Sequence, residues 1–165
     1  MDVELRVLTK EDFPILQALL LRCSDYLIFQ DEGPVKLSAA QDLFDARPEK
    51  VEREDKVLLG IFVEGHEHLV GVIELISGYS GPKTLTLALM VLESLSRGKG
   101  IGSKAYVALE EWAISHQLDK VRLGVLFGNN IGMKFWKSMG YHETGEVKPY
   151  LSNKFVVLEK NILSE

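Results

Sequence analysis

The stretch Arg97-Gly98-Lys99-Gly100-Ile101-Gly102 puts three glycines and two cations into six residues, between an apolar run and a helix-like run. Glycine has no Cβ, so main-chain N–H groups can approach a ligand closely. Where such a loop opens a helix, the first N–H groups have no partner inside the helix and the helix dipole favours negative charge. Arg97 and Lys99 add charge-assisted donors. The segment from Arg97 to Ser103 therefore reads as a cradle for a phosphate or pyrophosphate. The alternative is a strand-to-helix turn with solvated cations, but one glycine suffices for such a turn. A Walker loop needs Lys directly after its last Gly, and here the order is Gly102-Ser103-Lys104. A dinucleotide fingerprint needs Gly where Ser103 stands, and it belongs after the first strand of a βαβ unit, whereas this loop lies past mid-chain.

Other side chains could also carry chemistry. Glu93 stands just before the loop, where a carboxylate could reach a substrate directly or through water, or could be a solvated loop residue. Glu74 lies inside a strand-like run, so it must face a cleft or solvent. His66 and His68 form an H-x-H on a presumed turn, but no third ligand stands near, and no metal is expected. Cys23 is the only cysteine and sits in the apolar run "ALLLRCSDYL", which suits a buried thiol better than a nucleophile.

The elements that must position these residues are legible as patterns. "VELRVL" alternates like a half-buried strand. Thr9 and Asp12 have the spacing of a helix start, followed by a helix through "FPILQALLLRC". From Ser24 to Pro34 the pattern is mixed, with Tyr26 and Phe29 breaking periodicity, and "LSAAQDLFDA" predicts a short helix from Ser38. "KVLLGIFVEG" and "HLVGVIELISGY" predict a hairpin around "EGHEH". "TLTLALMVL" is apolar on both faces, as a covered central strand is. A helix follows the glycine loop to about His116, with Ile101, Ala105, Ala108 and Trp112 on one face. "KVRLGVLF" predicts a strand, and "NIGMKFWKSM" a short helix ended by Gly140. "YHETGEVK" and "KFVVLEKNI" close as strands. The order predicts an α/β (α+β) fold: a mixed, mostly antiparallel central sheet with helices on both faces.

The chain of 165 residues suits a single domain spanning 1–165. A net charge of -5 argues against nonspecific nucleic-acid binding. No apolar run is long enough to cross a bilayer, so no membrane partner is expected. The single cysteine and the lack of a signal-like start predict a cytoplasmic protein.

Arg97, Gly100 and Gly102 fit the spacing Arg-x-x-Gly-x-Gly, and at this point the chain resembles the GNAT acyltransferases, which use acetyl-CoA. In "NNIGMKFWKSMGY", Asn129, Gly132, Phe135, Trp136, Gly140 and Tyr141 fall on the places of that family's late segment. The order of elements matches as well, so the resemblance covers nearly the whole chain. It implies a GNAT-like fold and a site plan. The backbone of Arg97, Gly98, Lys99, Gly100, Ile101, Gly102 and Ser103 would hold the CoA pyrophosphate. The end of the central strand near Leu92 would pair with the pantetheine arm, provided that strand and "KVRLGVLF" splay apart. Asn129 would hydrogen-bond the arm. Trp136 would pack near it, or serve as core beside Phe135. A backbone N–H near Leu92 would polarise the thioester.

The implied reaction is transfer of an acetyl group to a primary amine of a small molecule or peptide by direct attack, with Glu93 as base and Glu74 as a second candidate. Many members place Tyr, a proton donor for the thiolate, where this chain has Trp136. Tyr26, Tyr79, Tyr106 and Tyr150 are candidates for that task, as is unassisted departure. The acceptor would meet the irregular stretch from Ser24 to Ala46 and the final hairpin around 149–153. A non-catalytic CoA-binding module and a nucleotide-binding regulator are the alternatives, and a homodimer is possible.

Overall fold

In the computed structural model, residues 2–65 and 68–163 are described. The alternation in "VELRV" makes β1 (Val3–Val7), with Val3 and Leu5 against the core and Val7 exposed. Next come β2 (Lys56–Val63), β3 (Gly71–Ser77) and β4 (Thr84–Leu92), then β5 (Lys120–Leu126), β6 (His142–Tyr150) and β7 (Asn153–Asn161). They form one seven-stranded sheet in the order β1-β2-β3-β4-β5-β7-β6. Neighbours run antiparallel except β4 and β5, which are parallel. A parallel pair needs a crossover, supplied here by α4 (Ile101–Ser115). The remaining helices are α1 (Phe13–Arg22), α2 (Ser24–Asp31), α3 (Ala39–Asp45) and α5 (Asn130–Ser138).

The sheet is packed on both faces, as expected. Ile101, Ala105, Tyr106 and Leu109 of α4, with Trp136 of α5, cover one face, while Leu16, Leu19 and Leu20 of α1, Leu27 of α2 and Ala40 of α3 cover the other. The core-facing side of α4 differs in detail from the expectation. Ala108 and Trp112 are half-buried, and Tyr106, Leu109 and Ala113 complete the buried stripe. Thr9 starts the first helical segment as its spacing indicates, its N–H donating to the Asp12 carboxylate at 2.8 Å.

The middle of β4 carries the feature that shapes the site. Against β3, Leu89 pairs with Glu74 and Leu87 with Leu75, so Ala88 is an extra residue, a β-bulge. An odd insertion reverses the phase of a period-two strand. Before it, Leu85 and Leu87 pack on the α4 face; after it, Leu89 and Val91 pack on the α1 face, while Met90 and Leu92 turn to α4. The pairing of β4 with β5 ends at the same place, its last partners being Leu87 and Leu123.

α2 is an element that the sequence pattern did not reveal. Its only buried residue is Leu27, so it shows almost no apolar stripe. Cys23 joins it to α1 at φ -100° and ψ 15°, a change of direction in which the backbone hydrogen bonds are still satisfied. Cys23 itself is buried, and burial pushes its thiol up to about 11.

Glu74 neither reaches a cleft nor stays in solvent. It pairs with Lys56 at 2.9 Å, and their side chains are 13% and 5% exposed. The Lys56 ammonium also donates to the carbonyls of Leu43 and Ala46 at the end of α3. Among the described residues no helix is long and apolar enough to cross a membrane. Removing one partner of a buried ion pair leaves the other charged and desolvated. Glu74→Ala is expected to cost about 3 kcal/mol of stability, measured as a lower denaturant midpoint with unchanged m-value.

Candidate functional site

Beyond the bulge β4 and β5 part, and the gap between them opens into a cleft of about 620 Å³. One wall is β4 from Leu87 to Leu92, and the other is Leu123 to Val125 of β5, with the start of α5 and the side of α2 at its edges. The β5-facing backbone edge of β4 has no strand partner after Leu87.

At one end of the cleft the glycine loop leads into α4, a helix of fifteen residues. Gly98 and Gly100 take φ values of +73° and +82°, the left-handed region that side chains rarely adopt. A Cβ on either would meet nothing within 4 Å, so backbone conformation rather than crowding demands glycine there. Among the described residues, no hydrogen bond takes the N–H of any residue from Gly98 to Ser103; the first to be engaged is that of Lys104, on the Gly100 carbonyl at 3.1 Å. Bare amides, left-handed glycines and the positive end of a long helix suit a diphosphate.

Arg97 lies at this mouth but is not idle. Its guanidinium grips the Asp25 carboxylate of α2 at 2.6 and 3.1 Å, and its Nε donates to the Leu92 carbonyl at 2.8 Å. The hydrogen bonds from Arg97 hold the Asp25 carboxyl below its ordinary value.

Across the cleft, Asn129 caps α5, its side chain accepting the Gly132 N–H at 2.9 Å. Trp136 lines the cleft, and it packs edge-on against Tyr106, Tyr141 and Phe135 at 5.4, 5.3 and 4.8 Å. Tyr106 and Tyr141 share a buried hydrogen bond of 2.8 Å, and burial raises both phenols far above their ordinary value.

The cleft thus gathers the predicted residues Leu92, Arg97, Gly98, Gly100, Gly102, Ser103, Asn129 and Trp136. Ile101 belongs to the loop through its backbone, for its side chain is in the core. Lys99 and Glu93 are absent from the cleft wall. Glu93 is 6% exposed. Arg22 donates to its carboxylate at 2.5 Å and Ser96 at 3.0 Å, while His68 lies at 3.3 Å. Burial alone would raise this carboxyl, but hydrogen bonds from Arg22, Ser96 and His68 outweigh burial and hold it below its ordinary value. Among the described residues no three His, Cys, Asp or Glu side chains gather as a metal site requires; His66 of the H-x-H lies outside the described residues.

On the acceptor-side segments, Tyr26 and Phe29 face the cleft, whereas Asp31 and Glu32 do not. Tyr150 donates to Asp31 at 2.6 Å, and Ser152 donates to Glu32 at 2.6 and 2.9 Å through its hydroxyl and its N–H. These bonds tie the end of α2 to the β6–β7 turn. Asp25 and Gln30 line the wall within the stretch expected to meet the acceptor, and Phe155 is a wall residue that the sequence analysis does not name. A signal for Phe155 existed in Gly124, a glycine inside a strand run, since a Cβ there would stand 3.0 Å from that of Phe155.

The model of the acetyltransferase (GNAT) family matches residues 20–141. No curated protein matches the chain in sequence. Solved structures that resemble it include an acetyltransferase from Thermus thermophilus, at 18% identity and a TM-score of 0.75, covering 98% of this chain and 97% of that one. A spermidine N-acetyltransferase from Vibrio cholerae in complex with CoA and spermine matches at 14% identity and a TM-score of 0.76, with coverages of 97% and 95%. An aminoglycoside acetyltransferase in complex with coenzyme A matches at 17% identity and a TM-score of 0.77, again with 97% and 95% covered.

Because Glu93 titrates below its ordinary value when folded, its stabilisation is complete above the unfolded glutamate pKa of about 4.3. It is lost as pH falls through the lower folded value. Glu93→Gln is expected to flatten the acid side of the melting-temperature profile, followed by calorimetry across that range.

Proposed function

The chain belongs to the acetyltransferase (GNAT) family, and on that premise we propose that it is an acetyl-CoA-dependent N-acetyltransferase acting on a primary amine. The observation that carries this reading is the set of unengaged amides from Gly98 to Ser103, opening onto a cleft where β4 has lost its partner strand. The backbone N–H groups of that loop hold the diphosphate, and Arg97 adds a cation beside it. The open edge of β4 near Leu92 and the side chain of Asn129 bind the amide-bearing arm, and Trp136 lines its path. Acetyl-CoA, when bound, supplies the acetyl group as a thioester that an unprotonated amine attacks directly. The chain's own residues align the two partners and keep bulk water away.

Two features bear on the acceptor. Tyr26, Phe29 and Phe155 line the cleft with aromatic surface, and the carboxylates Asp31 and Glu32, off its wall, accept hydrogen bonds from Tyr150 and Ser152. The aromatic surface supports an acceptor whose amine is carried on an apolar or aromatic body. Glu93, committed to Arg22 and outside the wall, is better suited to architecture than to taking a proton, so the amine's surplus proton leaves through water. A second reading, a CoA-binding module without turnover, draws on the same lack of a free carboxylate on the wall. Release of CoA thiol with apolar monoamines distinguishes the two.

Acetyl-CoA at a hundred times its Kd is expected to add about 2.7 kcal/mol of stability, seen as a melting shift of several degrees. Gly100→Asp, which sets bulk and negative charge in the cradle, should abolish that shift. An unmoved melting temperature in the wild type would reject the proposal.

Asp25 competes with the diphosphate for Arg97. The pair is largely exposed, with side chains 56% and 37% accessible, so its removal should have a modest effect. Asp25→Asn is expected to tighten CoA binding about threefold, with the gain shrinking as salt rises, by calorimetric titration.

A further inference from the structure

The amides from Gly98 to Ser103 serve a diphosphate only if they converge, and the loop has little of its own to make them do so. Gly98 and Gly100 have no Cβ, so the backbone there can turn many ways. Among the described residues no hydrogen bond engages those amides. The direction of the loop is therefore inherited from the segment that leads into it. That segment is one turn of 3-10 helix, Ser94–Ser96, followed by Arg97 in extended backbone at φ -80° and ψ 155°. A single such turn contributes few bonds of its own.

One residue closes that turn twice. The Glu93 carbonyl accepts the Ser96 N–H at 3.0 Å, and the Glu93 carboxylate accepts the Ser96 hydroxyl, also at 3.0 Å. The Glu93 N–H donates to the Val70 carbonyl at 2.9 Å, which fastens the turn to the segment before β3. Arg22, the last residue of α1, donates from Nε to the same carboxylate at 2.5 Å and from Nη2 to the Leu69 carbonyl at 2.7 Å. His68 stands 3.3 Å from the carboxylate oxygen that Ser96 uses. The Glu93 side chain is 8% exposed, and Ser96 is buried beside it. Three segments distant in sequence thus meet at one enclosed carboxylate: the end of α1, the entry to β3 and the exit of β4. Charge-assisted bonds in so dry a place hold one arrangement of their partners. The other ion pair at the loop, Arg97 with Asp25, is largely exposed and gives no comparable hold.

Resting on the acetyltransferase reading above, the geometry points to Glu93 as the positioning residue of the cradle. It does not touch CoA. With Ser96 and Arg22 it fixes the direction in which the chain enters Gly98–Ser103, so that the amides face one point before a ligand arrives. A loop without this hold would have to be ordered at the moment of binding, at a cost in affinity.

The test is calorimetric titration of CoA, and of ADP as the probe for a diphosphate without the pantetheine arm, into wild type, Glu93→Gln and Ser96→Ala at a temperature where all are folded. Glu93→Gln should weaken CoA and ADP by the same factor, about tenfold. Ser96→Ala, which removes one hydroxyl, should weaken both about threefold. The double variant should bind no more weakly than Glu93→Gln alone, because both changes act through one turn. The sign is diagnostic, since taking a negative charge from beside the cradle would by electrostatics alone tighten an anion. Glu74→Ala, destabilised through a different buried pair, should bind CoA as wild type does, which separates positioning from a general loss of stability. Ser96→Ala carries the same comparison should Glu93→Gln fold poorly. Unchanged or tighter CoA binding in Glu93→Gln or Ser96→Ala, a loss that spares ADP, or an equal loss in Glu74→Ala would overturn the role of Glu93 while leaving CoA binding intact. Absence of CoA binding in the wild type would overturn both this role and the acetyltransferase reading.

Discussion

Two parallel strands that separate halfway along their length set the terms for the rest of this molecule. Buried backbone N–H and C=O groups are ordinarily paired, so a strand edge left open in mid-sheet needs a structural cause. That cause is the bulge at Ala88. By inserting one residue, it swaps the faces of every side chain after it and bends β4 where its pairing with β5 stops. The apolar composition of β4 makes this tolerable, since Leu89 and Val91 find a core on the opposite face from Leu85 and Leu87. A strand with one polar face could not change phase without burying its polar residues. The double-sided apolar pattern of "TLTLALMVL" thus reports a central position and also permits the opening.

The parts of the fold read from sequence are those in which one local force dominates. Period-two and period-3.6 patterns placed all seven strands and four of the five helices among the described residues. The glycine loop was legible because its positive φ values admit little else. Asn129 and Trp136 were placed by motif spacing, and both line the cleft. α2 was not legible, because Tyr26 and Phe29, which spoil its apolar period, face the cleft rather than the core. Glu74 and Glu93 were misleading for a related reason. A carboxylate in or beside a strand announces a special environment but not its kind. Their partners, Lys56 and Arg22, lie 18 and 71 residues away in sequence, and only the folded chain brings them near.

Charge around the cleft is settled in part by pairing. Arg97 neutralises Asp25 and Arg22 neutralises Glu93, while Asp31 and Glu32 accept hydrogen bonds from Tyr150 and Ser152 and keep their charge. An acidic chain with a diphosphate-sized cradle faces a problem of repulsion, and internal pairing is one solution to it. The cradle then presents backbone amides, whose partial charges are fixed in place and need no counterion of their own.

α2 gathers these pairs into one device. It has eight residues, about 12 Å at the helical rise. Its first turn holds the cradle side through Asp25, and its end holds the β6–β7 turn through Asp31 and Glu32. The span between the two anchor points is therefore fixed by the length of one helix, not by loop flexibility. A rigid helix tied at both ends presents Tyr26 and Phe29 at fixed positions above the parted strands, which is the condition under which an aromatic ring can select a substrate. The same ties orient the two carboxylates without neutralising them, since the hydroxyl and N–H donors carry no charge. Geometry and electrostatics thus meet in one short segment: the bonds that position its aromatic face also hold the Glu32 carboxyl below its ordinary value, in its charged form.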